Sequence, residues 1–245
     1  MTFAAAIVVW VCWLLPVLLL ALVLRVTRQT ELRWPWFAAA AIAYGLYALA
    51  GYATLPAHVA ALPAEARWYS RLAQIAATGA MMALAWNRHP LLTAKGMALT
   101  LRQNPGSIPW SVLGVVALVA LGLVRNGVDL APGRMGGLGW LYHLTLRGFE
   151  PELLYRGLEL SLFAVALGGT RKAIGWAAVM STMVFALAHG IILHNGAIEV
   201  SLAMIAYAAA AGAILAAMRL RSGSLLFGML GHDLIGLTER LTWAP

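Results

Sequence analysis

Long apolar runs separated by short polar intervals fill this chain from end to end, and their lengths set the first expectation. Residues 3–24, 34–55, 68–86, 110–124, 151–167, 173–193, 198–218 and about 224–237 are each predominantly apolar, and only 151–167 holds more than one charged residue. Most approach the roughly 20 residues that a helix needs to cross a bilayer core. Pro16 is placed to kink the first, and Trp34 and Trp36 open the second at interface depth. No basic segment precedes the first run and no small-residue cleavage site follows it, so it reads as a membrane span and not as a signal peptide. The pattern predicts an all-α polytopic membrane protein of about eight transmembrane helices, forming a single integral domain over residues 1–245. Neither a repeat nor a low-complexity tail interrupts it.

The intervals sharpen this picture. Connections 25–33, 87–109, 168–172 and 219–223 carry three, three, two and two Lys/Arg residues, whereas 56–66, 125–137 and 194–197 carry only Arg125 and Arg134. By the positive-inside rule the first set is cytoplasmic, which places both termini and the 126–137 loop on the opposite side. The middle of the 87–109 interval, LLTAKGMALTLR, is expected to lie on the membrane surface as an amphipathic helix. The NPGSIP cluster then breaks the chain before the fourth run.

Composition agrees. The chain is 62% hydrophobic and 11% charged, with a mean hydropathy of +0.82, whereas soluble domains carry about 25% charged residues. Its net charge of +8 is spread through connections and builds no basic patch interleaved with aromatics, so nucleic acid is not an expected partner. The lone Cys12 forms neither an intrachain disulfide nor a cysteine metal site.

Candidate chemistry lies where polar residues interrupt the runs. Nine acidic residues serve the whole chain, and Glu150, Glu152 and Glu159 crowd into the stretch GFEPELLYRGLEL at 148–160. On a regular helix Glu152, Arg156 and Glu159 share an arc of roughly 60°. An ionisable residue inside a membrane costs on the order of 3 kcal/mol and is a functional-site hypothesis by default. His189 sits near the outer end of the sixth run, and His232 and Asp233 interrupt the eighth. Converging histidines and carboxylates have two uses: to bind a transition metal with an open position, or to activate water and hold an oxyanion. His189 and His194 are five residues apart, about 140° on a helix, so no HExxH pair is present.

Glu152-Leu-Leu-Tyr-Arg156-Gly157, then Phe185-Ala-Leu-Ala-His189, then His232 resemble, in order and on separate runs, the three motifs of the CPBP family of CAAX-prenyl-protease-like intramembrane proteases. The resemblance covers about residues 148–240, with a motif-bearing core at 138–240. It implies that Glu152 matches the second of the family's two adjacent glutamates, Arg156 its arginine, His189 the second-motif histidine and His232 the third-motif histidine. Two positions depart. Pro151 stands where the family has its first glutamate, the water-activating base, and Gly236 stands where it has Asn or Asp. Proline suits the first turn of a helix, an arrangement that would leave Glu150 beside the site, so Glu150 or Glu152 supplies the carboxylate. Asp233 or Asn195 is the candidate for the missing third-motif side chain.

The resemblance implies an intramembrane endopeptidase, glutamic-type or metal-dependent, using Glu150, Glu152, Arg156, His189 and His232. It would need no organic cofactor, act on a peptide or protein substrate within the bilayer of a bacterial-type inner membrane, and face the extracytoplasmic side. The alternative is a catalytically inactive member of the fold acting as a membrane binding, immunity or chaperone-like protein. A transporter is less well supported, because no paired broken helices are visible.

Overall fold

The computed structural model describes residues 3–53, 68–126, 137–194 and 197–241. Helices α1 (Phe3–Val26), α2 (Trp34–Ala53), α3 (Trp68–Ala85) and α4 (Ile108–Asn126) come first. A continuous run over 137–166 follows: α5 (Gly137–Glu152), a π-helical turn (Leu153–Glu159) and α6 (Leu160–Ala166). Then come α7 (Arg171–Gly190), strands β1 (Ile191–His194) and β2 (Ala197–Val200), α8 (Leu202–Ser222) and α9 (Leu226–Leu241).

Each of the eight apolar runs becomes part of a helical rod, and the described residues are helical apart from connections and one antiparallel hairpin. Eight transmembrane helices are not established, however. Stretches Ile7–Val26, Ile108–Asn126, Arg171–Gly190 and Leu202–Ser222 are long and apolar enough to cross a membrane, so the chain is a membrane protein. Two of the other rods are shorter or more polar: α9 has only the apolar stretch Leu226–Thr238, and α3 contains Arg71 and Gln74.

The 137–166 run is the axis of the bundle. Every residue from 150 to 167 is buried, the condition of a helix enclosed by protein on all sides. Ala40 of α2 and Ala177 and Met180 of α7 pack around it, and Val17 and Ala21 of α1 lie on the side of α1 that meets α7, all with no exposed surface. The outer faces of the surrounding helices show the opposite pattern: Leu15, Leu19 and Val23 on α1 and Leu113 and Val116 on α4 are exposed, as lipid contact requires.

The four basic connections meet at one end of the bundle. Arg33 N–H donates to the Ala166 carbonyl, Asn104 N–H to that of Ser222 and Leu225 N–H to that of Ala98, while Glu31 packs against Gly168 and His89 against Gly169.

Two sequence expectations need correction here. Residues 87–107 form turns, not an amphipathic surface helix, and Leu92, Met97 and Ala98 are buried. Ala98 adopts a left-handed backbone, φ 57°, which stops a helix from propagating. The segment is a plug: the Gly96 carbonyl accepts the Ser161 hydroxyl at 3.2 Å and the Arg219 guanidinium. The sixth run does not stay helical to residue 193, because α7 ends at Gly190, which is pressed against Ile205 and the Ser201 carbonyl. The apolar residues beyond it pair as a strand, with Ile191 opposite Val200 and His194 opposite Ala197. A short apolar run cannot be told from a helix by periodicity alone.

Candidate active site

Pro151 is inside the helical run, not at its start. Proline has no N–H and its ring crowds the carbonyl four residues back, so the regular ladder cannot continue unchanged. The run passes into a π turn in which Leu160 N–H reaches the Tyr155 carbonyl, five residues back, a local widening often found at functional sites. Side chains from other positions cover the carbonyls in this turn. Ser181 Oγ donates to Tyr155 O at 2.6 Å, Arg219 Nε to Arg156 O at 3.2 Å, and Ser161 Oγ to Gly157 O at 2.7 Å. A buried carbonyl without a partner would be costly.

The turn presents Arg156 and Glu152 to α8 and α9. Both side chains are fully buried, with Arg156 Nη1 3.2 Å from Glu152 Oε1. His232 Nδ1 lies 3.0 Å from that same oxygen, and Arg156 Nη2 donates to the Gly212 carbonyl at 3.1 Å. The other carboxylate oxygen, Oε2, has no hydrogen-bond partner. Gly228 makes room for it: a Cβ there would sit 3.1 Å from Glu152 Oε2.

Phe185 joins the second motif to the first and third. Its ring stacks under the Arg156 guanidinium, 4.4 Å from Cζ to centroid, lies 4.2 Å from the His189 ring and meets His232 edge-on at 5.7 Å. His189 Nδ1 lies 2.7 Å from the Phe185 carbonyl. A carbonyl only accepts, so Nδ1 carries the proton and Nε2 is the nitrogen left for other chemistry. His189 is exposed whereas Glu152 is buried, so the cluster runs from an enclosed carboxylate to an accessible imidazole. An apolar groove of about 630 Å³ between α1, α7 and α8, lined by Thr182, Ala186, Ala209 and Ala213 among others, flanks it.

Glu150 turns elsewhere. Residues two apart on a helix do not face one another, and its carboxylate faces α3, where Arg71 Nη1 lies 2.5 Å from Oε2. Arg71 is further held by the Tyr142 hydroxyl at 3.3 Å. Sequence reasoning passed over Arg71, although an arginine four positions into an apolar run was signal enough.

The remaining polar candidates divide. Asp233 Oδ1 accepts the Gly148 N–H at 2.6 Å, tying α9 to α5. The space beside Gly236 is filled by the Arg147 side chain, whose Nε lies where a Cβ would go. Asn195 and the His194 side chain lie outside the described positions. Glu159, expected on one face with Glu152 and Arg156, is not brought to them. The widened turn changes its phase, and it sits fully buried within electrostatic range of Tyr44 and Tyr155, neither oxygen having a hydrogen-bond partner. Among the described residues no group of three or more His, Cys, Asp or Glu is placed to hold a metal ion.

Comparison with known proteins agrees with the three motifs. Residues 133–238 match the family model described as Rce1-like, type II CAAX prenyl endopeptidase Rce1-like. This stretch spans α5 through most of α9 and includes Glu152, Arg156, His189 and His232. Over that stretch, which is less than half of its length, the chain is similar to the CAAX-protease type of membrane protease. No curated protein and no solved structure matches it.

Proposed function

We propose that this Rce1-like chain is an intramembrane endopeptidase in which Glu152 activates water to cut a peptide bond in an exported or membrane-anchored substrate. One observation carries the reading: a buried carboxylate has one oxygen hydrogen-bonded to His232 and in ion-pair contact with Arg156, and the other without a partner. Arg156 and His232 fix Glu152 in a single orientation. Oε2 is then the atom that accepts a proton from water as the water oxygen bonds to the scissile carbonyl carbon. His189 Nε2 orients the water, and an N–H of His232 donates to the negative charge that forms on the carbonyl oxygen, the role that positioned donors play in acyl transfer. Collapse of the tetrahedral intermediate breaks the C–N bond, and the proton held by Glu152 passes to the leaving amine.

Orientation follows from charge. The four connections that gather at one end hold ten Lys/Arg, so that end is cytoplasmic in a bacterial-type cell membrane, and His189 opens towards the other side. A reporter fused after residue 245 that is active only outside the cytoplasm is expected to be active. Cytoplasmic activity instead would reverse the orientation and leave the chemistry untouched.

The functional test compares three histidine variants of the purified protein, with cleavage of a mixed peptide pool read by mass spectrometry. His189→Ala and His232→Ala lose cleavage while remaining folded, and His194→Ala retains it. Full activity in His189→Ala would sink the mechanism. It is Pro151, in place of the family's first glutamate, that favours a second reading, a non-catalytic binding protein on this fold. That reading becomes the better account if the parent cuts nothing.

A further inference from the structure

The hairpin that follows His189 has an open edge, and its register says which backbone groups lie there. Ser201 N–H donates to the Gly190 carbonyl, so that position of the ladder is of the hydrogen-bonded type. Bonded and non-bonded pairs alternate in an antiparallel ladder. Pairs Ile192–Glu199 and His194–Ala197 are therefore bonded inward, whereas Ile191–Val200 and Leu193–Ile198 turn their N–H and C=O groups outward. On the β1 side the first of these outward positions is already occupied. Ile191 N–H caps α7 through the Leu187 carbonyl, and Ile191 O accepts the Trp13 indole N–H at 3.0 Å. On the β2 side all four residues are exposed, with Ile198 at 41% and Val200 at 59%.

We propose that the outer edge of β2 is a docking site for an extended substrate segment, which adds as a third strand through the outward N–H and C=O groups of Ile198 and Val200. Continuity with the candidate active site identifies the occupant. Val200 stands opposite Ile191, two residues from His189, and a strand added to β2 lies two strand spacings, about 10 Å, from the β1 backbone. A protease needs its substrate extended, and strand addition supplies backbone hydrogen bonds whatever the side chains. In the antiparallel arrangement the added strand runs the same way as β1, away from His189, and residues on the C-terminal side of the cut bond occupy the edge. The inference rests on the proteolytic reading for the identity and fate of the bound strand, whereas capture of an extended strand is tested without it.

The test separates the two. Full-length protein carrying Glu152→Gln, in nanodiscs, is titrated against a fluorescein-labelled peptide of ten alternating Thr and Val residues flanked by lysine pairs, with anisotropy as the readout. The same peptide N-methylated at every amide of the Thr/Val repeat has no donor along either edge. Ile198→Pro removes only an outward N–H, so the hairpin keeps its own ladder. The unmodified peptide is expected to bind, and N-methylation or Ile198→Pro each to weaken it about tenfold, the loss of a backbone bond or two. Ile198→Pro should leave the unfolding temperature unchanged. No binding by the unmodified peptide, or equal binding of the N-methylated one, overturns the docking proposal while leaving proteolysis standing. Cleavage of the peptide by the Glu152→Gln protein overturns the mechanism while leaving docking standing.

Discussion

Two carboxylate–guanidinium pairs start two residues apart on the same buried run, and their surroundings differ. In the Glu152–Arg156 pair both side chains are fully enclosed and one helical turn apart, and the shared oxygen is also approached by His232. In the Glu150–Arg71 pair the carboxylate is equally enclosed, but the arginine comes from α3 and is 37% exposed. The first pair has removed both charges from solvent. Breaking such a pair strands a charge that has nowhere to go, whereas a half-open pair admits water in place of the missing partner. A site that must hold a carboxylate in one orientation needs the first environment. The second suits a charge that ties two helices together beside the site.

Arg156→Ala gives the largest expected effect on stability, a loss of about 3–5 kcal/mol, the range for removing one partner of a buried pair. Arg156→Lys should lose less. Denaturant unfolding in micelles measures both, and an Arg156→Ala protein as stable as the parent would erase the contrast between the pairs. Arg71→Ala should lose less, about 1–3 kcal/mol, because water reaching the vacated position replaces part of what Arg71 gave the buried Glu150 carboxylate. If Arg71→Ala proves as damaging as Arg156→Ala, the two environments are equivalent and the comparison fails. Ser181→Ala is the smallest perturbation, removing one hydrogen bond from the Tyr155 carbonyl and costing about 1 kcal/mol. It should show as faster amide exchange confined to residues 155–160. Uniform acceleration throughout α7 would instead mean that Ser181 holds the helix and not the π turn.

Much of the fold was legible because lipid-facing helices must be apolar along their length. The eight runs found in the sequence are the eight rods among the described residues, and the basic intervals are the ones that gather at one end. Glu152, Arg156 and His232 were legible for a related reason: so few charges enter the apolar runs that each stands out. What escaped depended on backbone geometry. Nothing in the pattern around Pro151 distinguishes a helix start from a π turn inside a run, since both accommodate a missing N–H. The phase change that separates Glu159 from Arg156 follows from that turn and was invisible with it. The plug at 87–107 has the composition of an amphipathic surface helix, yet the left-handed Ala98 and the bonds to Gly96 direct Leu92 and Met97 inward. Arg71 stood out in the same way as an arginine inside an apolar run, but its partner, Glu150, is 79 positions away, and only the folded chain brings the pair together.

The central claim is that the carboxylate held by Arg156 and His232, and not the one held by Arg71, accepts the proton from water. Glutamine preserves the shape of glutamate and removes its basicity, so Glu152→Gln and Glu150→Gln differ from the parent and from each other in one property only. Cleavage rates of the two variants, measured on the same peptide pool with folding checked by unfolding temperature, address the claim directly. The account predicts a loss of about 10²–10⁴ for Glu152→Gln, the contribution of a positioned base, and less than about tenfold for Glu150→Gln. A large loss in Glu150→Gln with Glu152→Gln near the parent rate would contradict it and move the base to the Arg71 side of the helix.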